Sequence, residues 1–125
     1  GYITMHKNPS ELSEQIVVVR ELRRSRILFC SVPNGLLTTD RQARMAKASG
    51  LSKGAPDLLI FDAPPGYVGV ALEMKCVDGQ AADVRSEQRV WLTKLAQRGW
   101  LCLVGYGAVD ALEKLCSNGL DVRVV

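Results

Sequence analysis

Asp57 heads the apolar run Leu58-Leu59-Ile60-Phe61, and Glu73 and Lys75 interrupt a second apolar run that begins near Gly69. Between the runs lies Ala63-Pro64-Pro65-Gly66, with proline pre-setting φ and glycine free to take positive φ, so the runs read as strands of a hairpin. Centring the turn at Pro65 puts Asp57 opposite Glu73 on antiparallel strands. Directly opposed side chains have Cβ atoms about 5 Å apart, and like charges there destabilise a sheet. Two carboxylates so placed call for a cation, and a divalent metal meets the need. Alternation sends Glu73 and Lys75 to one face, with Gly69 and Ala71 behind them, and Val70, Leu72 and Met74 to the other. An acid pair beside an ammonium suits metal-assisted hydrolysis. The carboxylates hold Mg2+ or Mn2+, the metal polarises a phosphate oxygen and acidifies a water, and the lysine orients that water or offsets developing charge. Mg2+ suits such a site because it needs few protein carboxylates. The same acid–lysine spacing also arises as a plain surface ion pair. The preceding Gly54-Ala55-Pro56, the short hairpin and the apolar surroundings favour the chemical reading.

The elements that must position these groups follow from periodicity. Ser10 is the expected N-cap of an amphipathic helix over 11–25, with Glu11 in its first turn and Leu12, Ile16, Val19 and Leu22 on one stripe. Residues 27–32 are a short β-prone run closed by Pro33-Asn34-Gly35. Thr39-Asp40 caps a polar helix ending at Gly50, with Arg41, Arg44 and Lys47 along one side. Strands are expected over 57–61, 68–76, 100–104 and 122–125, and helices over 84–98 (stripe Val84, Trp91, Leu95) and 109–117. This is an α/β domain with a mixed sheet.

Lys53-Gly54-Ala55-Pro56-Asp57-Leu58, Leu72-Glu73-Met74-Lys75 and Ser86-Glu87-Gln88 together resemble the PD-(D/E)XK nuclease superfamily. More narrowly the chain resembles the VRR-NUC branch, whose small stand-alone members occur in phages. The resemblance spans about Glu14 to Val104 and implies a restriction-endonuclease-like αβββαβ core, a central mixed sheet flanked by helices. It implies that Asp57 and Glu73 ligate Mg2+ or Mn2+ with the Met74 carbonyl, that Lys75 is the catalytic lysine, and that Gln88 lies near the site. The acid of the first helix maps to Glu14, with Glu11 one turn earlier as a rival, and Asn34, in the turn after the first strand, is expected to contact DNA. The activity implied is a structure-selective DNA endonuclease, in the stand-alone members a homodimeric resolvase of four-way (Holliday) junctions. Two sites related by a two-fold axis suit paired nicks. A less selective nuclease of flaps, nicks or damaged DNA, and a non-catalytic DNA-binding module of a replication or recombination complex, are the competing readings.

The whole sequence bounds these expectations. Its 125 residues, 47% hydrophobic and 23% charged, suit one domain spanning 1–125, with residues 1–9 expected to be loosely ordered. Residues 1–53 hold nine basic and four acidic groups, and the remainder seven and nine. A basic half beside a mildly acidic one suits a face turned to phosphate, so Arg41, Arg44, Lys47 and Lys53 are expected to contact the DNA backbone without reading sequence. Arg20, Arg23 and Arg24, near the end of the first helix, read equally as cations favoured by the helix dipole or as phosphate contacts. Only 6% is aromatic, which argues against a base-stacking surface. Trp91 and Trp100 are expected in the core. His6, the single histidine, argues against His-based catalysis, and no Gly-Lys-Ser/Thr loop suggests a nucleotide cofactor. Cys30, Cys76, Cys102 and Cys116 show no metal-ligand spacing; three sit in apolar runs, as small core hydrophobes do, and a reducing cytoplasmic setting is expected. No signal peptide or membrane span is read in the sequence.

Overall fold

The computed structural model describes residues 2–4, 8–33 and 37–125; Asn34, Gly35, His6 and Lys7 lie outside that set. Its elements are β1 (Tyr2–Thr4), α1 (Pro9–Arg24), β2 (Phe29–Ser31), β3 (Leu37–Thr39), α2 (Asp40–Ala48), β4 (Leu58–Ile60), β5 (Gly69–Lys75), α3 (Ser86–Ala96), β6 (Trp100–Tyr106) and α4 (Ala108–Ser117). Four strands make a mixed sheet in the order β2-β4-β5-β6, antiparallel except for the β5–β6 pair. This is the α/β architecture expected.

The hairpin between β4 and β5 sets the register. Leu58 pairs with Leu72 and Ile60 with Val70, as a turn centred at Pro65 requires. β4 begins at Leu58, so Asp57 lies one residue before the ladder, level with Glu73. The even-numbered side chains Leu58, Ile60, Val70, Leu72 and Met74 join Val18 and Leu22 of α1 and Ala111, Leu112 and Leu115 of α4 in one core. Each large aliphatic buried there adds about 1.5–3 kcal/mol over leaving it exposed. The odd-numbered face, with Glu73 and Lys75, lies under α3.

Several elements depart from the sequence reading. α1 starts at Pro9, and the cap is Asn8, whose Oδ1 accepts from the Ser10 N–H at 2.9 Å; proline at the first helical position has no N–H to leave unpaired. The stripe that α1 buries is Val18, Glu21 and Leu22, whereas Leu12 and Ile16 are 46% and 56% exposed. Three consecutive valines make the apolar face ambiguous, and packing against α4 chooses Val18. Arg26 takes φ 57° where the chain leaves α1, a conformation that usually falls to glycine, while the Ile27 N–H closes back on the Leu22 carbonyl. α2 does carry a capping box, with Thr39 Oγ1 accepting from Gln42 N–H and Gln42 Oε1 from Thr39 N–H.

β1 pairs with β3 in a separate two-stranded ribbon that the sequence reading did not contain. The expected helix over 84–98 is a 3-10 turn at Ala81–Asp83 followed by α3, and Val84 packs before the helix begins. Residues 122–125 form no strand, although Leu120 and Val122 are buried. Part of the outer edge of β6 is already occupied: Lys114 Nζ donates to the Val104 carbonyl at 2.7 Å, and Asp110 Oδ2 accepts from the Tyr106 N–H at 2.9 Å. None of the four cysteines is buried; Cys30 and Cys116 are exposed, Cys76 and Cys102 half-buried, and all are free thiols. Trp91 and Trp100 are half-buried, Trp91 donating to Ser52 Oγ at 3.2 Å and Trp100 meeting Phe61 edge-on.

Candidate active site

The acidic end of the β4–β5 hairpin is built from very few residues. Where β4 stops, the Met74 N–H on β5 has no strand partner, and Asp57 Oδ2 accepts it at 2.7 Å. Backbone on the far side holds Asp57 in turn, its carbonyl accepting from the Val32 N–H at 3.0 Å. The Lys75 carbonyl accepts from Gly107 on the β6 side, so strand alternation turns the Met74 carbonyl to the edge on which Asp57 lies.

Glu73, Lys75 and Gln88 form one hydrogen-bonded set. Gln88 Nε2 donates to Glu73 Oε2 at 2.9 Å, and Lys75 Nζ donates to Gln88 Oε1 at 3.0 Å. Lys75 Nζ also stands 3.8 Å from Glu73 Oε2. Gln88 Oε1 is fixed from its own helix by the Arg85 N–H at 2.8 Å, the capping bond that opens α3. Asp57, Glu73 and Lys75 are each less than a tenth exposed. Buried charges require partners, and this site supplies them internally: a backbone N–H for Asp57, an amide and an ammonium for Glu73.

The loop before Asp57 is clamped to α3 by Gly54. Its φ is +91°, and a Cβ there would lie 2.7 Å from the Glu87 backbone, so only glycine permits this approach. Lys53 Nζ reaches Glu87 Oε1 at 3.5 Å. Glu87 is held below the usual carboxylate range first by a backbone hydrogen bond within the first turn of α3, with the Lys53 charge adding to it.

The remaining expected site residues make other contacts. Glu14 Oε1 accepts from the Ala108 N–H at 3.3 Å, capping α4, whose own N-cap Gly107 has no side chain for the purpose. Among the described residues no group of three or more His, Cys, Asp and Glu side chains could hold a metal, so Glu14 does not cluster with Asp57 and Glu73. Glu11 is half-buried in the first turn of α1. Arg41, Arg44 and Lys47 are exposed on α2, which buries no residue at all, and Lys53 is exposed beside Glu87. Sequence reasoning missed the bond from Met74 to Asp57 and the capping of α4 by Glu14, neither of which leaves a local signal.

A mixed four-stranded sheet with helices on both faces, bearing a carboxylate pair and a lysine where one hairpin ladder ends, defines a nuclease domain of the restriction-endonuclease-like fold. The VRR-NUC domain family matches residues 2–108, and the chain belongs to that family. A solved structure described as a VRR_NUC domain protein matches with a TM-score of 0.70 over 90% of each chain; at 20% identity this is a likeness of fold. No curated protein matches the chain. Nucleases of this family generally use divalent metals and act on DNA. No helix among the described residues is long and apolar enough to cross a membrane.

Proposed function

We propose that the chain is a structure-selective DNA endonuclease dependent on Mg2+ or Mn2+, acting as a homodimer on four-way junctions. The observation that supports this most is the convergence of Asp57, Glu73, Lys75 and Gln88 on the end of one hairpin, with the acids oriented by hydrogen bonds. The donor set fits a hard divalent cation: two carboxylates and the Met74 carbonyl are oxygen ligands, and Mg2+ keeps several waters of its own. When bound, the metal supplies charge to polarise a phosphate oxygen and to acidify a water.

Every other part is played by residues of this chain. Asp57 and Glu73 would hold the cation, and the Met74 N–H keeps the Asp57 carboxylate aimed along the β4 edge. Lys75 places an ammonium where negative charge develops on the attacked phosphate or on the incoming water. Gln88, bonded to both Glu73 and Lys75, is a positioning residue. Arg41, Arg44 and Lys47 on α2 contact phosphates, with Lys53 beside the site; such contacts set orientation and carry no sequence preference. Selection then rests on DNA shape.

The test is cleavage of a labelled four-way junction, a flap and a plain duplex, with Mg2+, Mn2+ or EDTA. Metal-dependent cutting of the junction, lost in both Asp57→Asn and Lys75→Ala, is the expected result. Preferential cutting of the flap assigns a less selective nuclease instead. DNA binding without cutting under any metal overturns the enzyme reading in favour of a DNA-binding module. Sedimentation of the purified protein tests the dimer separately.

A further inference from the structure

α1 leaves an apolar face without a partner. Leu12 and Ile16 are exposed on the flank of α1 away from Glu21, Val19 is half-buried against the core one turn on, and with Gln15 they line a shallow groove. Arg20 and Arg23 border its far end. Arg24 is held by Glu21 at 3.0 Å, whereas Arg20 and Arg23 form no ion pair among the described residues. Gln15 Oε1 is shut off from solvent yet has no hydrogen-bond partner among the described residues. Aliphatic side chains and cations without an ion pair thus share one helix face.

From this combination we infer that the α1 face docks an acidic amphipathic helical segment of another protein. The apolar side of that segment covers Leu12, Ile16 and Val19, and its carboxylates meet Arg20 and Arg23. This is helix-in-groove recognition, in which apolar anchors at helical spacing supply affinity and flanking charges supply selectivity. The chemistry disfavours other occupants. Phosphate gains nothing from covering aliphatic side chains, and α2 already offers a face of exposed cations with no apolar floor. The inference does not depend on the proposed nuclease chemistry.

The experiment uses the full chain and a fluorescein-labelled synthetic peptide as long as α1, with leucines at positions i, i+4 and i+7 and flanking glutamates. Fluorescence anisotropy should show saturable binding, weakened about tenfold or more by Arg20→Glu with Arg23→Glu. A peptide carrying lysines in place of the glutamates should bind that double variant better than it binds the wild type. Absence of saturable binding, or binding indifferent to the charge reversal, overturns the inference. So does a loss of plain-duplex binding in Arg20→Glu with Arg23→Glu, which makes DNA the occupant, or a dimer that Ile16→Glu dissociates, which makes it a second copy. Circular dichroism of each variant separates these outcomes from unfolding. Metal-dependent cleavage, followed in parallel, reports on the proposed function alone.

Discussion

The carboxylate of Asp57 completes the β-ladder, taking the Met74 N–H at 2.7 Å at the position where β4 no longer supplies a carbonyl. The same bond orients an acid of the candidate site and satisfies a buried backbone donor. Asp57→Ala should therefore destabilise the fold by about 1–3 kcal/mol, the cost of leaving a buried N–H unpaired. Asp57→Asn keeps an accepting oxygen and should lose less stability, while both lose cleavage. Urea denaturation followed by circular dichroism, beside a junction-cleavage assay, measures the two effects separately.

Gln88 permits a similar separation of folding from positioning. Gln88→Glu retains oxygens that can accept from the Arg85 N–H and Lys75, and an acid in the first turn of α3 is favourable. It replaces the amide that donates to Glu73 with a second carboxylate. Stability should change little, and the cleavage rate should fall about 10–100-fold, the usual range for a residue that orients a metal ligand. An unchanged rate would remove Gln88 from the machinery.

Asp110, which is not one of the candidate site's residues, governs an acid-pH effect. Burial raises its pKa, but the Lys114 hydrogen bond, the Tyr106 N–H and the Lys114 charge together outweigh burial and hold it below the ordinary value. A depressed folded-state pKa adds stability above the unfolded value of about 3.9, and that stability drains away as pH falls through the folded value. Thermal melts of the wild type should decline more steeply below about pH 4 than those of Asp110→Asn.

α2 is the place to look for salt dependence. Its cations are exposed on a helix that buries nothing, so replacing them should cost DNA affinity without costing the core. Each phosphate contact removed should lower the slope of log affinity against log salt by about 0.9. Arg41→Ala with Arg44→Ala, titrated against a junction and a duplex at several salt concentrations, should lose affinity for both alike. An unaltered slope would move the DNA face elsewhere.

The β4–β5 register was legible because its causes are local: two prolines and a glycine fix the turn, and strand alternation does the rest. Leu58 facing Leu72 follows directly. The β1–β3 ribbon was not legible, since each strand is three residues long and its partner lies far away in sequence. Nor was the burial of Glu21, a charged residue that α1 packing places at 1% exposure with Arg24 across it. Gln88 came only from family resemblance; on its own a glutamine two residues into a helix says nothing. The terminal apolar run over 122–125 looked like a strand because pattern alone does not reveal whether an edge is open.

That edge has a wider consequence. With Lys114 capping the Val104 carbonyl and Asp110 capping the Tyr106 N–H, the last part of the outer edge of β6 offers no free backbone groups there to an incoming strand, and the stretch on which another chain could pair is shortened. Removing both plugs, as in Asp110→Ala with Lys114→Ala, should lengthen the open edge and raise the chain's tendency to aggregate.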